Sequence, residues 1–278
     1  MNADDRWLVN GAPLAAISPG DRGLAYGDGL FETMAWRDGA LRFAERHLQR
    51  LARGCRRLGL PLPAAELLLG EAASLAGQHG CGTLKLILSR GPGRRGYAPA
   101  GAAQPTRAMA FYPGRPAAPA PALRLGLCRT PASINPVLAG LKTLNRLDNV
   151  LAAAEIGDRG LDEGIMCTPD GMVVGATAAN VFAFREGVLL TPELSRAGIA
   201  GTMRGLVLDC AAALGISCRE TRISTEELLQ MDELFLTNAL TGLRRVASLE
   251  GHLPPDGELT CRVAQALRER GVAEADPC

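Results

Sequence analysis

The stretch LKTLNRLDNV, residues 141–150, carries one of only two lysines in a chain of 278 residues. Lysine and arginine together number 30, and all of them except Lys85 and Lys142 are arginine. Arginine stays protonated, whereas a desolvated lysine can lose its proton and act as a nucleophile, a Schiff-base former or a general base. Lys142 is therefore a candidate nucleophile. The alternative is that the chain favours arginine overall and that Lys142 is one of two lysines retained without a function.

The composition sets bounds on the class of protein. With 47% hydrophobic residues the chain can bury a large core, and its length predicts one large domain or two modest ones. A net charge of +1 and 4% aromatic residues give no reason to expect nucleic acid or an anionic membrane as a partner. No signal-peptide pattern and no apolar run of about 20 residues is present, so we expect a cytoplasmic protein outside the membrane.

The cysteines and histidines do not predict a metal site. Eight cysteines are scattered without a CxxC pair, and three histidines are too few to complete a zinc pattern. In a cytoplasmic protein we expect these cysteines to be reduced and to behave as small core hydrophobes.

A proline-rich stretch divides the chain. PGRPAAPAP, residues 113–121, is typical of an extended linker. It predicts a small α+β domain at 1–112 and a larger domain at 122–278 that carries Lys142.

Hydrophobic periodicity predicts both helices and strands on each side of this linker. A helical face is formed by Leu48, Leu51, Cys55 and Leu58, and residues 83–90 alternate as a strand with Lys85 on the polar side. Further helices are predicted at 141–156 and 202–214, and Ser224 with Glu227 forms a capping box. Mixed strands and helices in two parts predict an α+β or α/β fold.

Several features could bind anions, and each has a structural alternative. GIAGTMRG, residues 198–205, places glycines before a helix, so the amides of Thr202 and Met203 could point at a phosphate. Arg46 could make a bidentate phosphate contact, or simply lie on a solvated helix face. RGPGRRGYAP, residues 90–99, gathers arginines that could bind carboxylates, or is an exposed loop tip.

In this order along the chain, six segments resemble the fold-type IV pyridoxal-phosphate enzymes, which include branched-chain and D-amino-acid aminotransferases and aminodeoxychorismate lyases. The segments are DRGLAYGDGLFET (21–33), FAERHLQRL (43–51), RGPGRRGYAP (90–99), LKTLNRLDNV (141–150), GIAGTMR (198–204) and MDELFLTNA (231–239). The resemblance covers nearly the whole chain. LAYGDGLFET, RGxGxRGY and KxLNRL look most like the lyases, which make 4-aminobenzoate and pyruvate for folate synthesis.

The resemblance implies a fold, a cofactor and an assembly. It implies a two-domain architecture, with a small α+β domain followed by a larger domain that has a barrel-like sheet. It also implies pyridoxal 5′-phosphate as cofactor, a small dicarboxylate as substrate, and a homodimer.

Roles for individual residues follow from the same resemblance. Lys142 would form a Schiff base with the cofactor and shuttle protons. Cofactor binding would fall to Arg46, Gly175, Thr202, Met203, Asn238 and Ala239. Substrate binding would fall to Phe31, Arg95 and Tyr97.

The sequence departs from the family pattern at Gly175, in VVGATAANVF (173–182). Relatives have a glutamate here that pairs with the pyridine nitrogen of the cofactor. Water or another group could substitute, or the cofactor could be a weaker electron sink. Two alternatives to a lyase stay open. One is a D-amino-acid or branched-chain-type aminotransferase, which NVLAAAE (149–155) and MDELF (231–235) also resemble, and the other is a cofactor-poor relative that only binds, which Gly175 supports.

Overall fold

The computed structural model describes residues 6–13, 16–99, 104–114, 121–252 and 257–275. It divides into two compact units, one formed by Met1–Pro116 with Leu141–Asn145 and the other by Ala117–Gly140 with Arg146–Cys278. Most of the predicted linker lies outside the described residues. The units differ from the predicted division in one respect, because the short segment with Lys142 belongs to the first unit.

The first unit is a six-stranded antiparallel sheet with helices packed on it. Its strands are β1 (Arg6–Val9), β2 (Ala12–Pro13), β3 (Gly29–Arg37), β4 (Ala40–Leu41), β5 (Cys81–Ser89) and β6 (Thr106–Pro113). Its helices are α1 (Arg22–Tyr26), α2 (Ala44–Leu58) and α3 (Ala65–Ala76). The strand order is β2-β1-β6-β5-β3-β4, which leaves β3 next to the short edge strand β4.

Two sequence patterns account for the core of this unit. Leu84, Leu86 and Leu88 alternate along β5 and are fully buried, as the period of two predicts. Leu51 and Cys55 of α2 are buried in the same cluster, whereas Leu48 and Leu58 pack partly buried against it. The predicted strand and the apolar helix face are therefore confirmed.

The second unit contains an eight-stranded mixed sheet that curls into a half-barrel. Its strands are β7 (Leu123–Leu127), β8 (Glu163–Cys167), β9 (Val173–Ala176), β10 (Asn180–Arg185), β11 (Val188–Pro192), β12 (Cys218–Thr221), β13 (Glu233–Asn238) and β14 (Gly242–Leu249). Its helices are α4 (Leu147–Asp158), α5 (Thr202–Ala213), α6 (Thr225–Leu228) and α7 (Glu258–Glu269). Apolar side chains from the strands fill one face of the sheet, while α5 and α7 pack on β13. The mixed α+β class with a barrel-like second sheet is confirmed.

One predicted helix begins later than the sequence pattern indicated. Periodicity predicted a helix from Leu141, but α4 begins at Leu147. Thr143 instead forms a β-bridge with Leu30, and Leu144 N–H donates to Gly29 O. The first six residues were wrongly predicted because β3 offers hydrogen bonds that no local pattern shows.

The cysteines follow the expectation only in part. Cys55 and Cys210 are buried, and burial raises the pKa of the Cys55 thiol to about 11. Cys218 is exposed, and Cys261 is disulfide-bonded, so the expected set of reduced core thiols is wrong at these positions. Within the described residues no helix is long and apolar enough to cross a bilayer.

Candidate active site

Lys142 lies on a short segment that extends the edge of β3. Phe31 N–H donates to Lys142 O over 3.0 Å, and the adjacent Thr143 is bridged to Leu30. The side chain is half-buried, and its Nζ lies 4.1 Å from the centroid of the Phe31 ring. The backbone of β3 thus fixes both the lysine and the aromatic ring beside it.

The other side of β3 carries a buried charge network. Side chains alternate along a strand, so Glu32 points away from Phe31 and towards α2. Arg50 donates from Nε to Glu32 Oε1 over 2.8 Å and from a second nitrogen to Oε2, and His47 Nδ1 lies 2.7 Å from the same Oε2. All three side chains are at least 94% buried.

The network sets the protonation of its members. Burial alone would raise the pKa of Glu32, but hydrogen bonds from Arg50 and His47 outweigh it, and the pKa falls below its usual value. Burial lowers the pKa of His47, and the charges of Arg50 and Lys142 add to this against the opposing effect of Glu32. Glu32 is therefore a carboxylate and His47 is predominantly neutral at pH 7.

Arg46 and Arg50 lie one turn apart on α2. Arg46, the residue selected from sequence, is half-buried, whereas Arg50 is 6% exposed and joined to Glu32. Arg50 was missed because a run of arginines does not show which one faces inward. The signal that could have found it is Glu32, an acidic residue within the mostly apolar stretch GLFETMAW (29–36).

The loop after β5 is held at its base and exposed at its tip. Asp28 binds both Arg22 and Arg90, and Arg22 also donates to Gly96 O and Tyr97 O over 2.8 and 2.7 Å. These contacts fix the backbone before and after the tip. The tip residues Arg94 and Arg95 and the ring of Tyr97 are exposed, with Tyr97 at 86%.

In the second unit, the start of α5 is a candidate for binding an anion. Gly201 is the N-cap and provides no side-chain cap, and a Cβ there would lie 2.0 Å from Asn180 Oδ1. Asn180 pairs with Thr237 across β10 and β13. Thr237 is 1% exposed, and its Oγ1 has no hydrogen-bond partner within the described chain. Thr237 was not singled out from the sequence, where it appears only within MDELFLTNA (231–239).

Thr202 and Met203 were predicted from the sequence to offer their amides to a phosphate. They are the first two residues of α5, and both are buried. Asn238 and Ala239 follow Thr237 at the end of β13. Asn238 Oδ1 accepts hydrogen bonds from Leu240 N–H and Thr241 N–H, so this side chain caps the turn that carries Ala239.

Gly175 lies on β9 opposite Met166 of β8. A Cβ there would meet only Ala179 O, at 3.2 Å, and no left-handed backbone angle requires glycine. Glu163 is on the neighbouring strand, but its carboxylate already accepts from Thr177 N–H, Thr177 Oγ1 and Gly164 N–H. A side chain at the buried Gly175 would therefore begin in tight contact with the backbone at Ala179, which would have to shift slightly.

Comparison with known proteins matches this chain to one family model and to solved structures with a similar fold. The family model for class IV aminotransferases matches residues 29–249. The crystal structure of 4-amino-4-deoxychorismate lyase from Pseudomonas aeruginosa has a TM-score of 0.89 at 44% identity, covering 95% of this chain and 98% of that one.

Two curated relatives extend the comparison. The aminodeoxychorismate lyase of Vibrio harveyi is 32% identical over 263 residues, 94% of this chain and 96% of the relative. The D-alanine aminotransferase of Bacillus licheniformis is 26% identical over 266 residues, 93% of each chain.

Proposed function

Because the chain belongs to the class IV aminotransferase family, whose members are pyridoxal-phosphate-dependent enzymes, we propose that it is a lyase converting 4-amino-4-deoxychorismate to 4-aminobenzoate and pyruvate. The observation that carries the proposal is Lys142, a half-buried primary amine fixed by β3 against the Phe31 ring. The likeness to lyases at 32% and 44% identity supports this reaction within the family.

The donor groups present fit pyridoxal phosphate. A phosphate needs N–H and O–H donors in a place where a ligand can replace water, and the start of α5 with the unpartnered Thr237 Oγ1 supplies such donors. We propose Thr202, Met203, Asn238 and Ala239 as further cofactor contacts, and Arg46 or Arg50 as the phosphate cation. When bound, the cofactor supplies an aldehyde for amines and a ring that accepts electrons.

Lys142 would move the proton of the reaction. Its Nζ would take the proton from the ring carbon that bears the substrate amine and give it to the methylene carbon of the leaving side chain. The bond between that side chain's oxygen and the ring then breaks, and pyruvate leaves as the ring becomes aromatic. No other reactant is required, because the two products together contain all atoms of the substrate.

Arg95 and Tyr97 are proposed to bind a substrate carboxylate. Both lie on the exposed tip of the loop whose base is held by Arg22, so a ligand can reach them without first breaking an ion pair of the base. Phe31 would line the pocket next to the reacting amine.

Gly175 bears on the choice between lyase and aminotransferase. A glutamate beside the cofactor nitrogen holds a proton there and strengthens the ring as an electron acceptor. An aminotransferase depends on that acceptor, whereas a lyase gains from the aromaticity of its product. Gly175 therefore favours the lyase, while the D-alanine aminotransferase likeness keeps amino transfer as the second candidate.

The decisive experiment measures both activities in wild type and in Lys142→Arg. We expect the wild-type holoenzyme to release pyruvate and 4-aminobenzoate in equal amounts from 4-amino-4-deoxychorismate, and to transaminate D-alanine far more slowly. Lys142→Arg keeps the charge, so it should fold normally, as checked by circular dichroism, but lose turnover. Faster transamination than lyase turnover in the wild type would refute the lyase proposal, and normal turnover in Lys142→Arg would refute the role of the lysine.

A further inference from the structure

Two of the three tyrosines of this chain lie together at the loop after β5. Tyr26 is the last residue of α1, and its ring centroid lies 5.6 Å from that of Tyr97, with an interplanar angle of 61°. Its hydroxyl accepts a hydrogen bond from Gly96 N–H over 3.1 Å. The guanidinium carbon of Arg22, one turn earlier in the same helix, lies 4.8 Å from the centroid of the Tyr26 ring. Tyr26 therefore contacts both the tip of the loop and the arginine that holds its base.

The hydrogen bond from Gly96 fixes the peptide that directly follows Arg95. Gly96 N–H and the Arg95 carbonyl belong to one planar peptide, so an acceptor for this N–H sets how the whole plane is turned. Gly96 has a φ of +113°, which favours glycine, and Arg22 binds the carbonyls of Gly96 and Tyr97. Tyr26 and Arg22 together thus hold three consecutive peptides next to the arginine proposed to bind a carboxylate.

The turn that follows Tyr26 is joined to the segment of Lys142. Gly27 ends α1 in the left-handed conformation, and its carbonyl accepts a hydrogen bond from Asn145 Nδ2 over 3.2 Å. A Cβ on Gly27 would lie 2.4 Å from Asn145 Oδ1, so the turn and this side chain fit closely. Asn145 is three residues after Lys142, in the segment that is hydrogen-bonded to β3. Tyr26 is therefore next to a residue that binds the Lys142 segment, and one hydrogen bond away from the loop tip.

We propose that Tyr26 is a positioning residue of the lyase reaction, whose hydroxyl sets the place of Arg95 relative to Lys142. This inference rests on the proposed lyase function and on Arg95 as a carboxylate contact. The side chain of Arg95 is exposed, so the backbone of the loop determines where its guanidinium can reach. The contact of an arginine with a carboxylate is directional, and a misplacement of about 1 Å in a bound substrate slows a reaction strongly.

Two substitutions separate the hydroxyl of Tyr26 from its ring. Tyr26→Phe keeps the ring beside Arg22 and Tyr97 and removes only the acceptor for Gly96 N–H, whereas Tyr26→Leu removes both. Tyr112→Phe removes the same atom from the third tyrosine, on β6, and is the matched control.

Four quantities are measured for each protein. KM and kcat are determined with 4-amino-4-deoxychorismate as substrate, and cofactor affinity is determined by titration. The rate at which trypsin cuts after Arg94 and Arg95 is followed by mass spectrometry and requires no activity. KM is also measured for Arg95→Ala and for Arg95→Ala combined with Tyr26→Phe.

We expect Tyr26→Phe to raise KM about three- to tenfold, as the loss of one neutral hydrogen bond predicts, with kcat and cofactor affinity little changed. Trypsin should cut the loop faster by a similar factor, and Tyr26→Leu should show larger changes in the same direction. In the Arg95→Ala background, Tyr26→Phe should not raise KM further, because the residue through which it acts is absent. Tyr112→Phe should behave as wild type.

An unchanged KM or an unchanged rate of loop cleavage in Tyr26→Phe would overturn the inference. An equal rise in KM with and without Arg95 would also overturn it, because the hydroxyl would then act independently of that arginine. If the wild type makes no pyruvate from 4-amino-4-deoxychorismate, the lyase proposal fails by itself. The affinity of the holoenzyme for pyruvate, which amino transfer from D-alanine also yields, then replaces KM in the same comparison, and the trypsin rates still decide whether Tyr26 fixes the loop.

Discussion

Replacing Glu32 by glutamine should destabilise the first unit and also disturb the cofactor site. Glu32 and Arg50 are 2% and 6% exposed, and Arg50 donates hydrogen bonds to both carboxylate oxygens of Glu32. Breaking a buried ion pair by removing one partner costs about 3–5 kcal/mol. Glutamine can still accept one hydrogen bond, so we expect a loss of about 3 kcal/mol in the free energy of unfolding.

The chain offers a matched control in Glu71→Gln. Glu71 and Arg107 form a similar two-nitrogen pair in the same unit, but their side chains are 10% and 12% exposed and lie on α3 and β6. We expect this control to lose only about 1–2 kcal/mol, because water partly solvates the remaining arginine. Cofactor affinity should fall in Glu32→Gln, because Glu32 adjoins Phe31, whose ring contacts Lys142. It should stay unchanged in Glu71→Gln.

The pH dependence gives a second and independent readout. The pKa of Glu32 and that of His47 are both lowered in the folded protein, so the folded state binds fewer protons than the unfolded one. The stability that each group contributes is present above its usual pKa. It is lost on acidification, from below about 6.5 for His47 and below about 4.5 for Glu32. In Glu32→Gln the loss below pH 4.5 should be smaller than in wild type.

Urea unfolding of each protein at pH 7, 5.5 and 4, with a cofactor titration at pH 7, measures all of these quantities. The reasoning is refuted if Glu32→Gln and Glu71→Gln lose equal stability and show the same pH dependence as wild type. A loss of stability in Glu32→Gln without any change in cofactor affinity would show that the buried charge network stabilises the fold but does not affect cofactor binding.

Three further predictions concern the phosphate cation, the glycine at position 175 and the loop after β5. Arg46→Ala should weaken cofactor binding by about 1–3 kcal/mol if Arg46 holds the phosphate, and Arg50→Ala by the same amount if the buried arginine does so instead. Parallel titrations assign the role, and unchanged affinity in both variants would exclude both residues. Gly175→Glu requires a slight shift of the backbone at Ala179, 3.2 Å from the new Cβ, and should raise transamination of D-alanine more than lyase activity. Equal changes in the two rates would contradict the weak-acceptor argument. Arg22→Gln should free the loop, so that trypsin cuts it about tenfold faster than in wild type. Arg90→Gln, which leaves the Arg22 contacts to the Gly96 and Tyr97 carbonyls in place, is the comparison and should show a smaller increase.

The sequence alone determined most of the local structure. Alternating leucines predicted β5, the apolar face of Leu51 and Cys55 predicted part of α2, and Ser224 with Glu227 predicted the cap of α6, all of which the structure confirms. Rarity of lysine singled out Lys142. The strand, the helix face and the cap each depend on residues a few positions apart, so a local pattern contains their whole cause, whereas the choice of Lys142 rests on the composition of the whole chain.

Tertiary structure decided which of these residues meet. The segment around Lys142 is not helical, because the edge of β3, more than 100 residues earlier in the chain, supplies its hydrogen bonds. Arg50 rather than Arg46 is buried because Glu32 on β3 pairs with it, and Lys85 faces Phe31 because β5 pairs with β3 in one register. Burial and pairing between distant segments set these contacts, and no pattern within a single segment encodes them.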